Sequence, residues 1–159
     1  EDNRGAFVKL FHQDTFEELG LISQFQEEYY SVSEKGVLRG LHFQTPPDDH
    51  VKVVTCVTGS ILDVVVDIRK SSNTYGKVYS TELNDQKRNM MYVPKGFAHG
   101  FYVLSNKAVF ISLNSTQFSP NCDAGIKWDS IDFKWPDYNP ELSEKDKNLP
   151  GIIEYQSPF

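Results

Sequence analysis

Between residues 51 and 114, short runs rich in Val, Ile and aromatic residues alternate with breaks of Gly, Asn and Pro. This rhythm constrains the fold more than any other feature. Residues 51–57 and 61–68 are dominated by Val and Ile, and Thr58-Gly59 between them reads as a turn. Further strand runs occupy 78–83, 89–93, 100–104 and 108–114, separated by Asn73 to Gly76, Asn84-Asp85, Pro94 to Gly96 and Ser105-Asn106. Many short strands at this spacing, with few helices, predict an all-β sandwich or barrel. One helix is expected from Asp14 to Gly20, with Asp14 as cap, Glu17 as capping-box partner and Gly20 as stop. A second helical turn is expected around Leu142 to Asn148, inside a polar tail that starts at Ser119 and carries Trp128 and Trp135.

A chain of 159 residues suits one domain, 1–159, around one sizeable core. The net charge of −6 argues against a general nucleic-acid or membrane surface, since both require clustered basic residues. It leaves room for a small basic patch that takes a phosphorylated metabolite. No apolar run reaches membrane-spanning length. The sequence opens with neither Met nor a basic, apolar leader. Cys56 lies in an apolar run and reads as a buried thiol, Cys122 lies in a polar loop, and neither is spaced with histidines as a metal ligand would be. The expected compartment is a reducing cytoplasm.

Four histidines are candidates for chemistry. His12, near the first helix, and His50, in a Pro/Asp loop, read as surface residues. His42, in Gly36 to Gln44, and His99, in Val93 to Phe101, each sit among residues that belong inside, where both ring nitrogens need partners. Either one alone reads more readily as a structural core histidine than as a catalytic one. A metal-binding barrel is the weaker reading, because no His-x-His occurs and two histidines under-ligand the common catalytic metals. Arg39 and Lys52 bracket His42 in sequence and are candidates for holding a diphosphate or an oxyanion if the strands 37–43 and 51–57 share a pocket. Solvated strand-edge charges are the commoner fate of such residues.

Several segments together are more specific. Gly36-Val37-Leu38-Arg39-Gly40-Leu41-His42-Phe43-Gln44, Gly59 to Ser72 followed by Thr74-Tyr75-Gly76, Val93 to Ser105, Gly125-Ile126-Lys127-Trp128 and Leu142-Ser143-Glu144-Lys145-Asp146 resemble, in order and spacing, the dTDP-4-dehydrorhamnose 3,5-epimerase family. The resemblance covers nearly the whole chain. It implies a cupin-type jelly-roll β-barrel with a few short helices, a homodimer, no cofactor and no metal. It also implies that the family's N-terminal strand is missing from this sequence. The implied substrate is a nucleoside-diphosphate 4-keto-6-deoxy sugar, whose C4 ketone acidifies the C3 and C5 hydrogens. A base removes one, an enolate forms on O4, and a proton returns on the other face. Matched position by position, the resemblance makes His42 the base, Asp146 its carboxylate partner and Lys52 the cation on the enolate oxygen. It implies substrate contacts at Arg39, His99, Asp123 and Lys145, and makes Arg4 a nucleotide-binding arginine. Asp63 is left as a possible supporting partner.

Three positions depart from the family pattern. Its second catalytic residue, a tyrosine, falls on Ser112; a family glutamate becomes Lys9; and a Gln-x-Asn pair that contacts thymine becomes Glu27 and Tyr29. A carboxylate matches the two adjacent donors of guanine better than thymine's single donor between carbonyls, so a GDP-linked substrate is favoured slightly over a dTDP-linked one, with Tyr29 available to stack on the base. Ser112 is a poor substitute for a phenol, so a single inversion, at C3, is expected over a C3 and C5 pair. Two alternatives share the resemblance: a 3,4-ketoisomerase acting on a similar sugar nucleotide, and a non-catalytic sugar-nucleotide-binding relative. Joint retention of His42, Lys52 and Asp146 argues against the second, because a binding module has no use for a paired base.

Overall fold

The computed structural model describes residues 2–159. Its strands in chain order are β1 (Glu27–Glu34), β2 (Leu38–Gln44), β3 (Lys52–Thr58), β4 (Ser60–Asp67), β5 (Val78–Asn84), β6 (Met90–Val93), β7 (Phe97–Val103), β8 (Lys107–Asn114) and β9 (Asp123–Gly125). The helices are short: α1 (Gln13–Glu18), α2 (Glu144–Lys147) and a 3-10 turn at Trp128–Ser130. The strands form a four-stranded sheet, β1-β8-β3-β6, and a five-stranded sheet, β5-β4-β7-β2-β9. Pairing within both is antiparallel, and the chain changes sheet at nearly every step, which makes the architecture an all-β jelly roll. No helix among the described residues is long and apolar enough to cross a membrane.

The alternation of side chains explains why these runs pair as they do. In β4, Ile61 and Val65 join Val54, Phe101, Val103 and Phe110 in the core between the sheets. Val64 and Val66, on the opposite face, join Leu38, Leu41, Phe43 and Tyr102 in a second core. That second core is closed by the tail: Trp128 and Trp135 are buried there, and the Trp135 indole donates to the Trp128 carbonyl at 3.0 Å. Each fully buried Val, Leu or Phe contributes about 1.5–3 kcal/mol, so a sheet apolar on both faces needs both covers.

The predicted strand runs correspond to β2 through β8, with ends shifted by a few residues. β1 and β9 are additional. The first helix is framed differently from the expectation: its N-cap is His12, Asp14 lies in its first turn, and Glu17 accepts from Gln13 and Ser23 rather than closing a capping box. The helix starts earlier because burial of Phe16, packed edge-on against Phe11 at 5.0 Å, sets its register. The second helical turn is α2, capped by the Ser143 side chain. Cys122, in the loop before β9, is buried, and both cysteines are free.

One close approach positions the site. At Gly40, φ is +130°, and a Cβ there would lie 2.6 Å from the Gly100 Cα and 2.9 Å from the His99 carbonyl. Gly100 is equally tight against the Arg39 carbonyl at 2.5 Å. Two facing glycines therefore let β2 and β7 touch backbone to backbone. The register shifts between Arg39 and His42, so these two residues of opposite parity line the same cavity. Gly40→Ala is expected to destabilise the fold by about 3 kcal/mol, from positive φ and overpacking combined. Urea unfolding of the two proteins side by side checks this, and a loss below about 1 kcal/mol would show that the contact relaxes easily.

Candidate active site

His42 on β2 is paired across the strands with His99 on β7, so the two imidazoles are neighbours. Each has its own carboxylate. His42 Nε2 lies 2.5 Å from Asp146 Oδ1, and His99 Nε2 lies 2.9 Å from Asp63 Oδ2. The His99–Asp63 pair is sealed, with side chains 5% and 0% exposed, whereas 31% of the His42 side chain is open. An ionised carboxylate only accepts, so Nε2 of His42 carries the hydrogen and Nδ1 keeps the lone pair. Among the described residues, Nδ1 has no protein partner. It is left to take a proton from a ligand.

Asp146 is held as firmly as the ring it orients. Its backbone N–H donates to the Ser143 cap at 3.1 Å, and its Oδ2 accepts from the Gly40 N–H at 3.3 Å. Burial alone would raise its pKa. The His42 hydrogen bond and charge, with help from Gly40 and Ser143, hold it below the ordinary value, so it stays ionised.

Lys52 enters from β3, on the opposite sheet. It is 7% exposed, and its Nζ donates to the His42 carbonyl at 3.3 Å. Burial depresses its pKa to about 8, with Asp63 and Asp123 opposing and Lys145 adding to the shift. It is still largely protonated at neutral pH, a cation in a place where a developing oxyanion is strongly stabilised.

These groups surround a cavity of ≈ 220 Å³ that is also lined by Tyr29, Ser31, Arg39, His99 and Lys145. A second recess of ≈ 480 Å³ shares Tyr29, His42, Lys52 and Lys145 with it and adds Glu27, Asn114, Phe118 and Asp123. The two make one cleft. Arg39 is steadied by Ser33, to which its Nε donates at 2.9 Å, and Lys145 is ion-paired with Asp123. No cluster of three or more His, Cys, Asp or Glu able to hold a metal occurs among the described residues.

Several expected positions fall elsewhere. Arg4 is 90% exposed, paired with Asp2, and lies in a separate recess with Gly5, Ala6 and Phe7. Ser112 is fully buried and does not line the cleft; its hydroxyl donates to Asn114 Oδ1 at 2.9 Å. Glu27 borders the cleft, but both its oxygens are engaged, accepting from Asn114 Nδ2 at 3.0 Å and the Phe118 N–H at 3.3 Å. The carboxylate that favoured guanine is thus occupied by the protein. His50 is no surface residue: both ring nitrogens are buried without a protein partner, and burial, with the charges of Lys52, His99 and Lys95, lowers its pKa to about 3. It is tucked in because its loop folds back, with Gln44 and Thr116 both donating to the Asp48 carbonyl. Asp63, with its Val-rich strand context, is the carboxylate whose role the sequence left open.

An oriented imidazole with a free nitrogen, next to a buried cation and without a nucleophile between them, suits removal of a proton from a carbon beside a carbonyl. That is the chemistry of an isomerase that works through an enolate. Known proteins similar to this chain fall in the isomerase class. The dTDP-4-dehydrorhamnose 3,5-epimerase of Shigella flexneri is 45% identical over 156 residues, 96% of this chain and 86% of that one. The dTDP-4-dehydrorhamnose 3-epimerase of Streptomyces niveus is 37% identical, covering 96% and 75%. The crystal structure of the 3,5-epimerase from Legionella pneumophila in complex with dTDP-4-keto-L-rhamnose superimposes with a TM-score of 0.93 at 35% identity, covering 97% of this chain and 84% of that chain. Residues 1–154 match the dTDP-4-dehydrorhamnose 3,5-epimerase family, and the chain belongs to that family.

The depressed pKa of Lys52 has a measurable sign. Between about pH 8 and the ordinary value of 10.5 the unfolded chain holds a proton that the folded chain has lost, so stability rises with pH through that window. Below it the full cost of burying the charge is present, about 3 kcal/mol from the size of the depression. Lys52→Met is expected to raise stability at pH 7 by about 1–3 kcal/mol and to flatten the rise between pH 8 and 10, while turnover falls. Urea unfolding at pH 7 and 9.5 reads both, and a less stable variant at pH 7 would contradict the sign.

Proposed function

We propose that this chain inverts C3 of a dTDP-linked 4-keto-6-deoxy sugar by way of an enolate. The observation that carries the reading is the His42–Asp146 pair at 2.5 Å, facing a cleft it shares with Lys52. His42 Nδ1 takes the C3 proton, the electron pair moves onto O4, and the Lys52 ammonium balances the charge there. Lys145 and Arg39, at the cleft, are the groups proposed to meet the diphosphate. Neither a redox cofactor nor a metal is needed for this sequence of steps.

Two findings support dTDP over GDP. Glu27 is already hydrogen-bonded through both oxygens, and the relatives named above are dTDP-sugar epimerases. Phe118 borders the same recess and offers aromatic surface for a base. Tighter binding of dTDP than GDP by calorimetry is expected, and the reverse order would return the case to guanine. A homodimer is part of the same reading, and light scattering of the purified chain tests it.

The base assignment is tested in deuterium oxide with a dTDP-linked 4-keto-6-deoxy sugar. His42→Asn is expected to lose solvent exchange at C3 by roughly 10²–10⁴-fold with the fold intact. Asp146→Asn should be milder, since it leaves an imidazole in place with looser orientation. Exchange undiminished in a folded His42→Asn protein would remove His42 from the mechanism.

A further inference from the structure

Inversion requires a proton to come back from the side opposite His42, and the wall on that side is the four-stranded sheet. Four of its side chains line the His42 cavity: Tyr29, Ser31, Lys52 and Phe110. Phe110 has no proton to give. Ser31 is short and weakly acidic. Lys52 is the cation for O4. Tyr29 alone brings a phenol.

The placement of Tyr29 is specific. It is the direct cross-strand partner of Ser112, the position at which the family pattern has its tyrosine. Tyr29 itself stands where that pattern has an asparagine. Across a single register pair, the two strands have exchanged a phenol and a small polar side chain. The residue is 44% exposed, and its hydroxyl end meets the side chains of Ser112 and Asn114. Those two are themselves fixed: Ser112 donates to Asn114 Oδ1, and Asn114 Nδ2 donates to Glu27 Oε2. A row of Glu27, Asn114 and Ser112, the last two buried, thus supports the phenol from behind.

We propose that Tyr29 is the proton donor opposite His42, supplying from β1 the phenol that β8 lacks. The assignment rests on the epimerase reading above. In the step, the C3–H bond breaks toward His42 Nδ1 and its electrons pass to O4. A new C3–H bond then forms on the other face from the Tyr29 O–H. Water reprotonates the phenolate and takes the proton from the imidazolium, so no other reactant is consumed. Desolvation, joined by the Glu27 charge and opposed by Ser112, Asn114 and Arg39, raises the phenol's pKa, which keeps it in the donating form through neutral pH. A phenol in this place also removes the ground for expecting one inverted centre, because that expectation rested on Ser112.

The test compares the wild-type chain with Tyr29→Phe in deuterium oxide, using a dTDP-linked 4-keto-6-deoxy sugar, with hydride reduction of the 4-keto product to trap its stereochemistry. The readouts are deuterium entry at C3 and C5, inverted product, and dTDP affinity and Tm as checks on binding and folding. Tyr29→Phe is expected to keep His42-dependent exchange, the deuteron returning to the face it left, and to lose inversion by roughly 10²–10⁴-fold. The transposed variant Tyr29→Ser/Ser112→Tyr is expected to recover at least ten-fold over Tyr29→Ser. Inversion at the wild-type rate in Tyr29→Phe overturns the proposal, and so does equal loss of exchange and inversion, which would make Tyr29 a binding or positioning residue. If wild type shows neither exchange nor inversion, the epimerase reading itself fails, which is a separate outcome.

Discussion

The five-stranded sheet is apolar on both faces, and most of the molecule is arranged around covering it twice. One face meets the four-stranded sheet through Ile61, Val65, Phe101 and Phe110. The other meets the tail through Trp128, Ile131 and Trp135. The first cover builds a barrel whose open part is the cleft. The second takes the chain back past β2, where Glu141 pairs with Val37 and Gly36, and sets α2 beside His42. Asp146 reaches the imidazole because the hydrophobic effect requires that face to be closed. The site is in this sense a product of core packing.

The two neighbouring histidine–carboxylate pairs show how burial separates otherwise similar chemistry. His99 and Asp63 are shut in, and the imidazole packs at 6.0 Å over Phe110, a setting that fixes the wall of the cleft. His42 and Asp146 share the same local geometry, but that imidazole has an open edge. Lys52 sits between a functional need and a physical cost. In the proposed reaction its charge serves an enolate because it is shielded from water, and it is destabilising to the fold for the same reason. Such conflict is typical of sites where function overrides the rules that make a core.

Much of this was legible in the sequence, and the exceptions share a cause. The strands β3, β4 and β8 carry apolar residues on at least one face, so alternation revealed them. β1 did not show, because its inward residues Glu27, Tyr29 and Ser31 face a cleft rather than a core. A strand that lines a ligand site loses the pattern by which strands are found. Its missed pairing with β8 hid the relation between Tyr29 and Ser112. His50 and the tail tryptophans were hidden differently, in segments whose burial comes from the path of the backbone and not from any period. Asp146 was placed beside His42 by family resemblance. Nothing local in either segment announces that they meet.

That last contact spans 104 residues. The strands β1 through β8 end at Asn114, so His42 and the cations Arg39 and Lys52 are specified before the tail begins, whereas Asp123, Lys145 and Asp146 come from the tail itself. Any chain that stops short of Asp146, whether nascent on a ribosome or clipped in the tail, has an imidazole with no carboxylate to fix its tautomer. Its Gly40 amide also lacks its acceptor, and one face of its larger sheet is bare. In the proposed reaction, proton abstraction is thereby tied to the presence of the tail. A truncated product is left with little power to form a reactive enolate.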